Sequence, residues 1–302
     1  MISNNNILIL GCTGMFGSNI YNYLSYKKIN TYILTHKPLN KKNYLLINKI
    51  IDKKSFYKYT NKINNIIKNK KISIVINCLG YTKHAGLKNF SYQKLINTDL
   101  PKELSNITNK NNSYLIHFST DCVFSGKKGN YTEKDIPDYI DNYGKYKFLG
   151  EKLNGKNYVV LRTSGIGHEY KTKKNLLEWF LNTPSNANVL GFGNSFFSGP
   201  TTIEIAEIIY KFFIKKKIRL NGIFNLGTKK INKYELLCLI NKIYNTKKKI
   251  IEEKAGKKID RSLISKKISA KLNYNFKSWN IMIHNMYKLN KIFKKNRNEY
   301  II

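Results

Sequence analysis

The stretch ILILGCTGMFGSNIYNYLSYKK, residues 7–28, decides the fold. Ile7–Leu10 is an unbroken apolar run of strand length. It leads directly into Gly11, Cys12, Thr13, Gly14, Met15, Phe16 and Gly17, after which Ile20, Leu24 and flanking tyrosines recur at helical spacing. In a strand–glycine turn–helix unit, backbone amides approach a pyrophosphate that rests on the helix N-terminus. The spacing here is GxxGxxG rather than GxGxxG, and a glycine triplet alone is weak evidence. Its position at the first strand–helix junction favours a dinucleotide over a plain tight turn.

The next strand reads TYIL (31–34) and ends at Thr35, His36 and Lys37. An acidic residue here would hold the ribose hydroxyls of NAD. Lys37 with His36 instead suits a 2′-phosphate, so NADPH is expected, with NADH the alternative if Lys37 is simply solvated. A short strand near Ile47–Ile51 is expected to end at Asp52, which either reaches the adenine or caps a polar helix over Lys53–Asn69. ISIVINCLGYT (72–82) is a near-continuous apolar strand of the kind buried on both faces. Its end, with Cys78, Leu79 and Gly80, is expected beside the cofactor. A helix through Tyr92–Leu104 carries Asn97. Strands alternating with helices predict a right-handed, doubly wound parallel sheet of the Rossmann type, with ligands at the carboxyl ends of the strands.

A fifth strand, SYLIHFS, delivers Ser119, Thr120, Asp121 and Cys122 to that edge. Tyr143 and Lys147 follow on a helix, four residues apart and so on one face. A phenol whose pKa is lowered by a neighbouring cation, with a threonine hydroxyl facing the same point, suits a carbonyl that becomes an alcohol. The bland alternative is chance, in a chain with 22 tyrosines and a great many lysines. Agreement among Gly14, Gly80, Thr120 and the loop before Tyr143, all on one sheet edge, argues against it. A sixth strand over Tyr158–Ser164 follows, then an amphipathic helix, a helix capped by Thr201 or Thr202, a strand in GIFNLGTKK, a helix in INKYELLCLINKIYN and a charged loop, KIIEEKAGKKIDRSLIS.

At 302 residues the chain is long enough for one large domain, or a domain with a smaller lobe. Residues 1–164 read as the nucleotide-binding domain, with later strands at about 186–230 returning to it, and 165–302 as a smaller C-terminal α/β substrate lobe. The net charge of +36 invites a nucleic-acid reading, but only four of the 54 basic residues are Arg and no arm or helix concentrates them. A bias toward Lys, Asn and Ile across the whole chain accounts for it, and no nucleic-acid partner is expected. No apolar run reaches membrane-spanning length and MISNNNILIL lacks the marks of a signal peptide, so neither a membrane nor a secretory role is expected. Four dispersed cysteines read as reduced thiols in a cytoplasmic protein. No metal-ligating set is read.

Together GCTGMFG (11–17), VINCLG (75–80), STDCVFSG (119–126), YTEKD (131–135), YGKYKFLGE (143–151), LRTS (161–164), FSGPTTIEIA (197–206) and DRSLIS (260–265) resemble the extended short-chain dehydrogenase/reductases. Within them they are most similar to the sugar-nucleotide 4-keto reductases. The resemblance covers nearly the whole chain. It implies Tyr143 as proton donor, Lys147 as its tuner and ribose anchor, Thr120 as the hydroxyl that polarises the carbonyl, and Asn97 as support for the lysine. It further implies a nucleotide-sugar substrate touched by Thr120, Asp121, Cys122, Arg162, His168, Phe197 and Arg261, with Arg261 on the diphosphate. Cofactor contacts are implied for the glycine loop, His36, Lys37, Asp52, Cys78–Gly80, Asn97, Ser119, Tyr143 and Lys147. A homodimer is compatible with it. Cys122, Ser125 and Gly165–Glu169 depart from the pattern of the rhamnose-forming enzymes. A UDP-linked N-acetylated 4-keto sugar therefore competes with a dTDP-linked one, and a non-catalytic regulatory subunit is the alternative of a different class.

Overall fold

β1 (Asn6–Leu10) is an inner strand of the main sheet, and both of its faces are buried: Ile7 and Ile9 enter one buried cluster, Leu8 and Leu10 the other. The structure is a computed structural model and describes residues 6–38, 41, 43–82, 89–171 and 174–296; Arg297 and the last residues of the tail lie outside that set. The first half then runs α1 (Met15–Tyr26), β2 (Thr31–Thr35), β3 (Tyr44–Leu46), α2 (Lys53–Asn69), β4 (Ile72–Asn77), α3 (Phe90–Lys94), α4 (Leu100–Lys110), β5 (Tyr114–Phe118), α5 (Asn142–Leu149) and β6 (Tyr158–Arg162). The second half adds α6 (Leu176–Asn182), β7 (Asn188–Phe192), β8 (Ser195–Phe197), α7 (Thr202–Ile208), β9 (Gly222–Asn225), β10 (Ile231–Asn232), α8 (Lys233–Tyr244), β11 (Lys249–Glu253), β12 (Ile259–Asp260), α9 (Lys266–Leu272) and α10 (Trp279–Lys295).

Seven strands form one parallel sheet in the order β3-β2-β1-β4-β5-β6-β9. The α/β doubly wound reading holds. The winding reverses between β1 and β4, which places a ligand crevice beyond the ends of those two strands. α1, α7 and α10 cover one face of the sheet, and α2 and α4 the other. Two smaller sheets lie outside it, β10-β8-β12 and β11-β7.

Several expected boundaries moved. The strand expected at Ile47–Ile51 is instead β3, because Ile33–Thr35 of β2 pair with Tyr44–Leu46. The helix carrying Asn97 runs from Phe90 to Lys110 with a π-helical turn at Leu95–Asp99. Pro101 has no N–H to return to the Asn97 carbonyl four residues back, so a regular α-turn cannot close there. β6 stops at Arg162 rather than Ser164. The charged stretch read as a loop contains β11 and β12. β11 pairs with β7 about sixty residues earlier and β12 with β8, partners that no local pattern reveals. Thr201 caps α7 through the Glu204 amide, one of the two caps expected.

Candidate active site

The glycine loop is built by close approach. Gly11 has φ +75°, and a Cβ on it would lie 2.8 Å from the Cys78 backbone; a Cβ on Gly17 would lie 2.2 Å from the Gly11 carbonyl oxygen. Those two glycines let α1 dock against the ends of β1 and β4. Gly14 is different, since a Cβ there would make only an ordinary contact at 3.5 Å, and the same holds for Gly80 at 3.7 Å. The packing requires neither, and both leave bare backbone on the crevice. The N-terminus of α1 has no side-chain cap and no acidic residue in its first turn. An uncapped helix start with open backbone around it fits the pyrophosphate of a dinucleotide. Thr13 is exposed beside it, and Met15 and Phe16 are half-buried, with Phe16 packed 5.2 Å from the Phe118 ring.

At the end of β2, the Thr35 hydroxyl donates to the Lys37 carbonyl at 2.7 Å and accepts the Lys37 amide at 3.1 Å, which leaves the His36 and Lys37 side chains exposed. His36 Nδ1 lies 2.9 Å from the Ile47 carbonyl oxygen. Asp52 is committed elsewhere. Its carboxylate accepts the Ser55 amide at 2.7 Å and, with Ser55, forms a capping box on α2. Of its two expected roles, the structure gives the cap. At the end of β4, Asn77 Oδ1 accepts the Leu79 amide at 3.1 Å. Asn97 clamps the next turn: Oδ1 accepts the Tyr81 amide at 2.9 Å and Nδ2 donates to the Tyr81 carbonyl at 3.0 Å. Its side chain thus holds the strand-end loop rather than reaching the lysine, and Gly80 lies against it.

The end of β5 and the start of α5 meet over Thr120. Thr120 Oγ1 accepts the Cys122 amide at 3.1 Å, and its side chain hydrogen-bonds the Tyr143 phenol. Asp141 caps α5 through the Gly144 amide at 2.9 Å. A Cβ at Gly144 would lie 2.3 Å from the Cys122 carbonyl oxygen, so only glycine after Tyr143 lets the helix come this close. The phenol's pKa is raised, first by burial and then by Cys122, against the pull of the Thr120 bond. The expectation that the lysine lowers it is corrected by burial: the ring stays protonated at neutral pH, the form a proton donor needs. The Lys147 ammonium donates to the Phe118 carbonyl at 2.6 Å. Burial brings Lys147 down to about 8, opposed chiefly by Glu151. Burial likewise holds Cys78 as a thiol, and burial with the nearby Lys147 keeps His117 neutral.

Two residues expected on the substrate face the interior instead. Arg162 is 3% exposed and forks onto Glu151, with Nη2–Oε2 at 2.7 Å and Nε–Oε1 at 3.0 Å. His168 is 2% exposed and joins Glu178 at 2.6 Å through Nδ1 and the Tyr244 hydroxyl at 2.9 Å through Nε2. Both are engaged by the protein, His168 at both ring nitrogens and Arg162 through Nε and Nη2, while Arg162 Nη1 has no hydrogen-bond partner among the described residues. The Ser119 hydroxyl is also taken, donating to Glu151 Oε1 at 2.5 Å. Phe197 is half-buried against Trp279, with ring centres 5.8 Å apart. Arg261 uses Nε on the Phe124 carbonyl at 3.0 Å.

Sequence reasoning missed Lys233. β8 lies between β10 and β12, with Phe196 opposite both Asn232 and Asp260. A cation follows on each flank, Lys233 after Asn232 and Arg261 after Asp260, and because β10 runs antiparallel and β12 parallel to β8 the two step away from that rung in opposite directions. Burial, and then Arg261, destabilise the charged form of Lys233, while Asp121 stabilises it. Lys233 thus shares its electrostatic surroundings with Arg261 and with Asp121, the neighbour of Thr120. The signal available in sequence was a lysine directly after a helix-capping Asn232, one lysine among many. Among the described residues, no group of three or more His, Cys, Asp or Glu is placed to hold a metal ion. No helix of the described residues is long and apolar enough to cross a membrane.

A glycine cradle and a Thr–Tyr–Lys group on one edge of a parallel sheet are the features of an extended short-chain dehydrogenase/reductase. The chain belongs to the family described as the RmlD substrate binding domain, whose pattern matches residues 5–290. It is 33% identical over 159 residues to dTDP-4-dehydrorhamnose reductase from Aggregatibacter actinomycetemcomitans, a match covering 50% of this chain and 53% of that one. The alignment thus spans about half of that relative's length. It is 23% identical over 257 residues to methionine adenosyltransferase 2 subunit beta from Bos taurus, covering 81% and 73%. In structure it resembles a dTDP-4-dehydrorhamnose reductase from Bacillus anthracis in complex with NADP, with TM-score 0.76, 18% identity and coverage of 94% and 98%. At that identity the likeness is one of fold.

Proposed function

We propose that this protein reduces the 4-keto group of a nucleotide-linked 6-deoxy sugar with NADPH, in the manner of the dTDP-4-dehydrorhamnose reductases it resembles. The product would feed surface-polysaccharide synthesis in the cytoplasm. The observation that carries the reading is the hydrogen-bonded pair of Thr120 and a protonated Tyr143 beside a glycine cradle that the packing itself does not fill.

Residues 1–164, with β9 returning to the sheet, would hold the dinucleotide, and most of 165–302 the substrate. Gly11–Gly17 would hold the pyrophosphate, Lys37 and His36 the 2′-phosphate, and Lys147 the nicotinamide ribose. Bound NADPH supplies a hydride to the carbonyl carbon. Thr120 and Tyr143 direct their hydroxyls at the carbonyl oxygen. Tyr143 transfers its phenolic proton to that oxygen as the alcohol forms, and the phenolate is reprotonated from water. The buried ammonium of Lys147 favours the transient phenolate. Arg261 and Lys233 would take the diphosphate, for which cations are the fitting partners.

The similarity to a subunit beta of methionine adenosyltransferase supports a second reading, a cofactor-binding chain that serves another enzyme. Intact Thr120, Tyr143 and Lys147 favour catalysis. NADPH oxidation with a panel of dTDP- and UDP-linked 4-keto sugars separates the two. Turnover on one of them supports the reductase, and NADPH binding without turnover on any rejects it.

A further inference from the structure

Glu151 lies beneath the proposed catalytic group and had no role in the sequence reading. Tyr143, Lys147 and Glu151 are spaced by four, so they rise along one face of α5 and the turn that ends it. Glu151 is 1% exposed, and its carboxylate is the meeting point of three elements. Oε1 accepts the Ser119 hydroxyl at 2.5 Å from the end of β5, and Arg162 at the end of β6 donates to both oxygens, with Nη2–Oε2 at 2.7 Å. Ser119 directly precedes Thr120. Lys147 donates to the Phe118 carbonyl of that same strand end at 2.6 Å.

A buried arginine–carboxylate pair is not in itself a good stability device, because well-packed apolar residues often do as well. What distinguishes this one is its neighbour. Facing Lys147 are His117 and the Phe118 carbonyl on β5, Cys78 directly after β4, and Glu151 in the turn that ends α5. Burial keeps His117 and Cys78 uncharged, so Glu151 brings the negative charge, with Arg162 behind it as counter-cation.

We propose that Glu151 is a positioning residue of the reductase site: through Ser119 it fixes the strand end that presents Thr120, and through its charge it holds Lys147 as an ammonium one turn from Tyr143. The proposal rests on the reductase reading, but its first test does not need turnover. In protein carrying 13Cε-lysine, the resonance that disappears in Lys147→Met reports the Lys147 titration. In Glu151→Gln, that titration is expected to fall by about one unit or more, a tenfold loss of proton affinity. The alkaline limb of the kcat profile moves down with it, while KM for the sugar nucleotide changes little. If Glu151→Gln does not fold because Arg162 is left buried and unpaired, the double variant Glu151→Gln/Arg162→Gln removes both charges and should show a smaller fall, since loss of the Arg162 cation offsets part of it. Ser119→Ala keeps the charge; it should lower kcat several-fold and leave the lysine titration in place. An unmoved Lys147 titration in the Gln variants overturns the electrostatic role, and wild-type kcat in Ser119→Ala overturns the strand-end role. Wild-type protein without turnover on any 4-keto sugar would reject the reductase reading, while the lysine titration still decides the role of Glu151.

Discussion

The Lys147 ammonium reaches the Phe118 carbonyl at 2.6 Å, so the cation on α5 is tied to the strand that presents Thr120 two residues later. The tie is made inside the protein, and its energetic cost can be measured. Burial lowers Lys147 from 10.5 to about 8. The folded state then binds this proton more weakly than the unfolded chain, so a penalty of about 3 kcal/mol is present below pH ~8 and fades as pH rises toward the unfolded value. Lys147→Met should therefore gain stability near pH 7, up to roughly that amount, and the gap to wild type should close between pH ~8 and ~10. Urea unfolding of both proteins across that range checks it; a lysine variant less stable than wild type at pH 7 would contradict the assignment.

Tyr143→Phe removes the proposed proton donor and keeps the ring. Turnover is expected to fall by about 10²–10⁴-fold, the usual range for general acid catalysis. NADPH binding, followed by nucleotide fluorescence, should stay within a few-fold of wild type. A variant that turns over normally would remove this residue from the mechanism.

Lys37→Glu places a carboxylate where the 2′-phosphate would lie. NADPH should bind at least about tenfold more weakly, as expected for loss of a charge-assisted contact, and NADH should be unaffected or bind better. Equal losses for both dinucleotides would assign Lys37 to the solvent.

Arg261→Ala and Lys233→Ala should each weaken binding of dTDP or UDP by about tenfold or more and leave NADPH binding unchanged. Calorimetry with the free nucleoside diphosphates reads this without any sugar. If only Arg261→Ala responds, Lys233 has another task.

His168→Ala removes a buried ring bonded at both nitrogens, to Glu178 and Tyr244. The expected loss is about 2–3 kcal/mol of stability, from two buried partners left without their hydrogen bonds. KM for the substrate should not move, since the ring faces the interior; a raised KM at unchanged stability would return His168 to the substrate.

Local chemistry was legible in the sequence. The glycine loop, the largely apolar β4 and the four-residue step from Tyr143 to Lys147 each state their geometry within a few residues, and the sheet confirms the architecture they predict. Features that depend on distant partners were not legible. Arg162 looked available until Glu151 was seen to claim it from α5. His168 looked like a loop residue until Glu178 and Tyr244 closed on it. Lys233 was one of 54 basic residues until burial and the charges of Arg261 and Asp121 set it apart. β11 carries charge on a sheet of only two strands, so no apolar alternation marked it.

The small sheet β10-β8-β12 is drawn from residues 195–197, 231–232 and 259–260. A nascent chain emerges from its N-terminus, so β1 to β6 are already outside the ribosome before the codon for Arg261 is read. The strands that would carry the nucleotide thus emerge several seconds ahead of the wall that would grip a diphosphate, at elongation speeds of about 5–20 residues per second. Translation halted before Ile259 would leave a polypeptide that holds the glycine cradle, the threonine and the tyrosine, yet lacks the arginine expected to retain a sugar nucleotide.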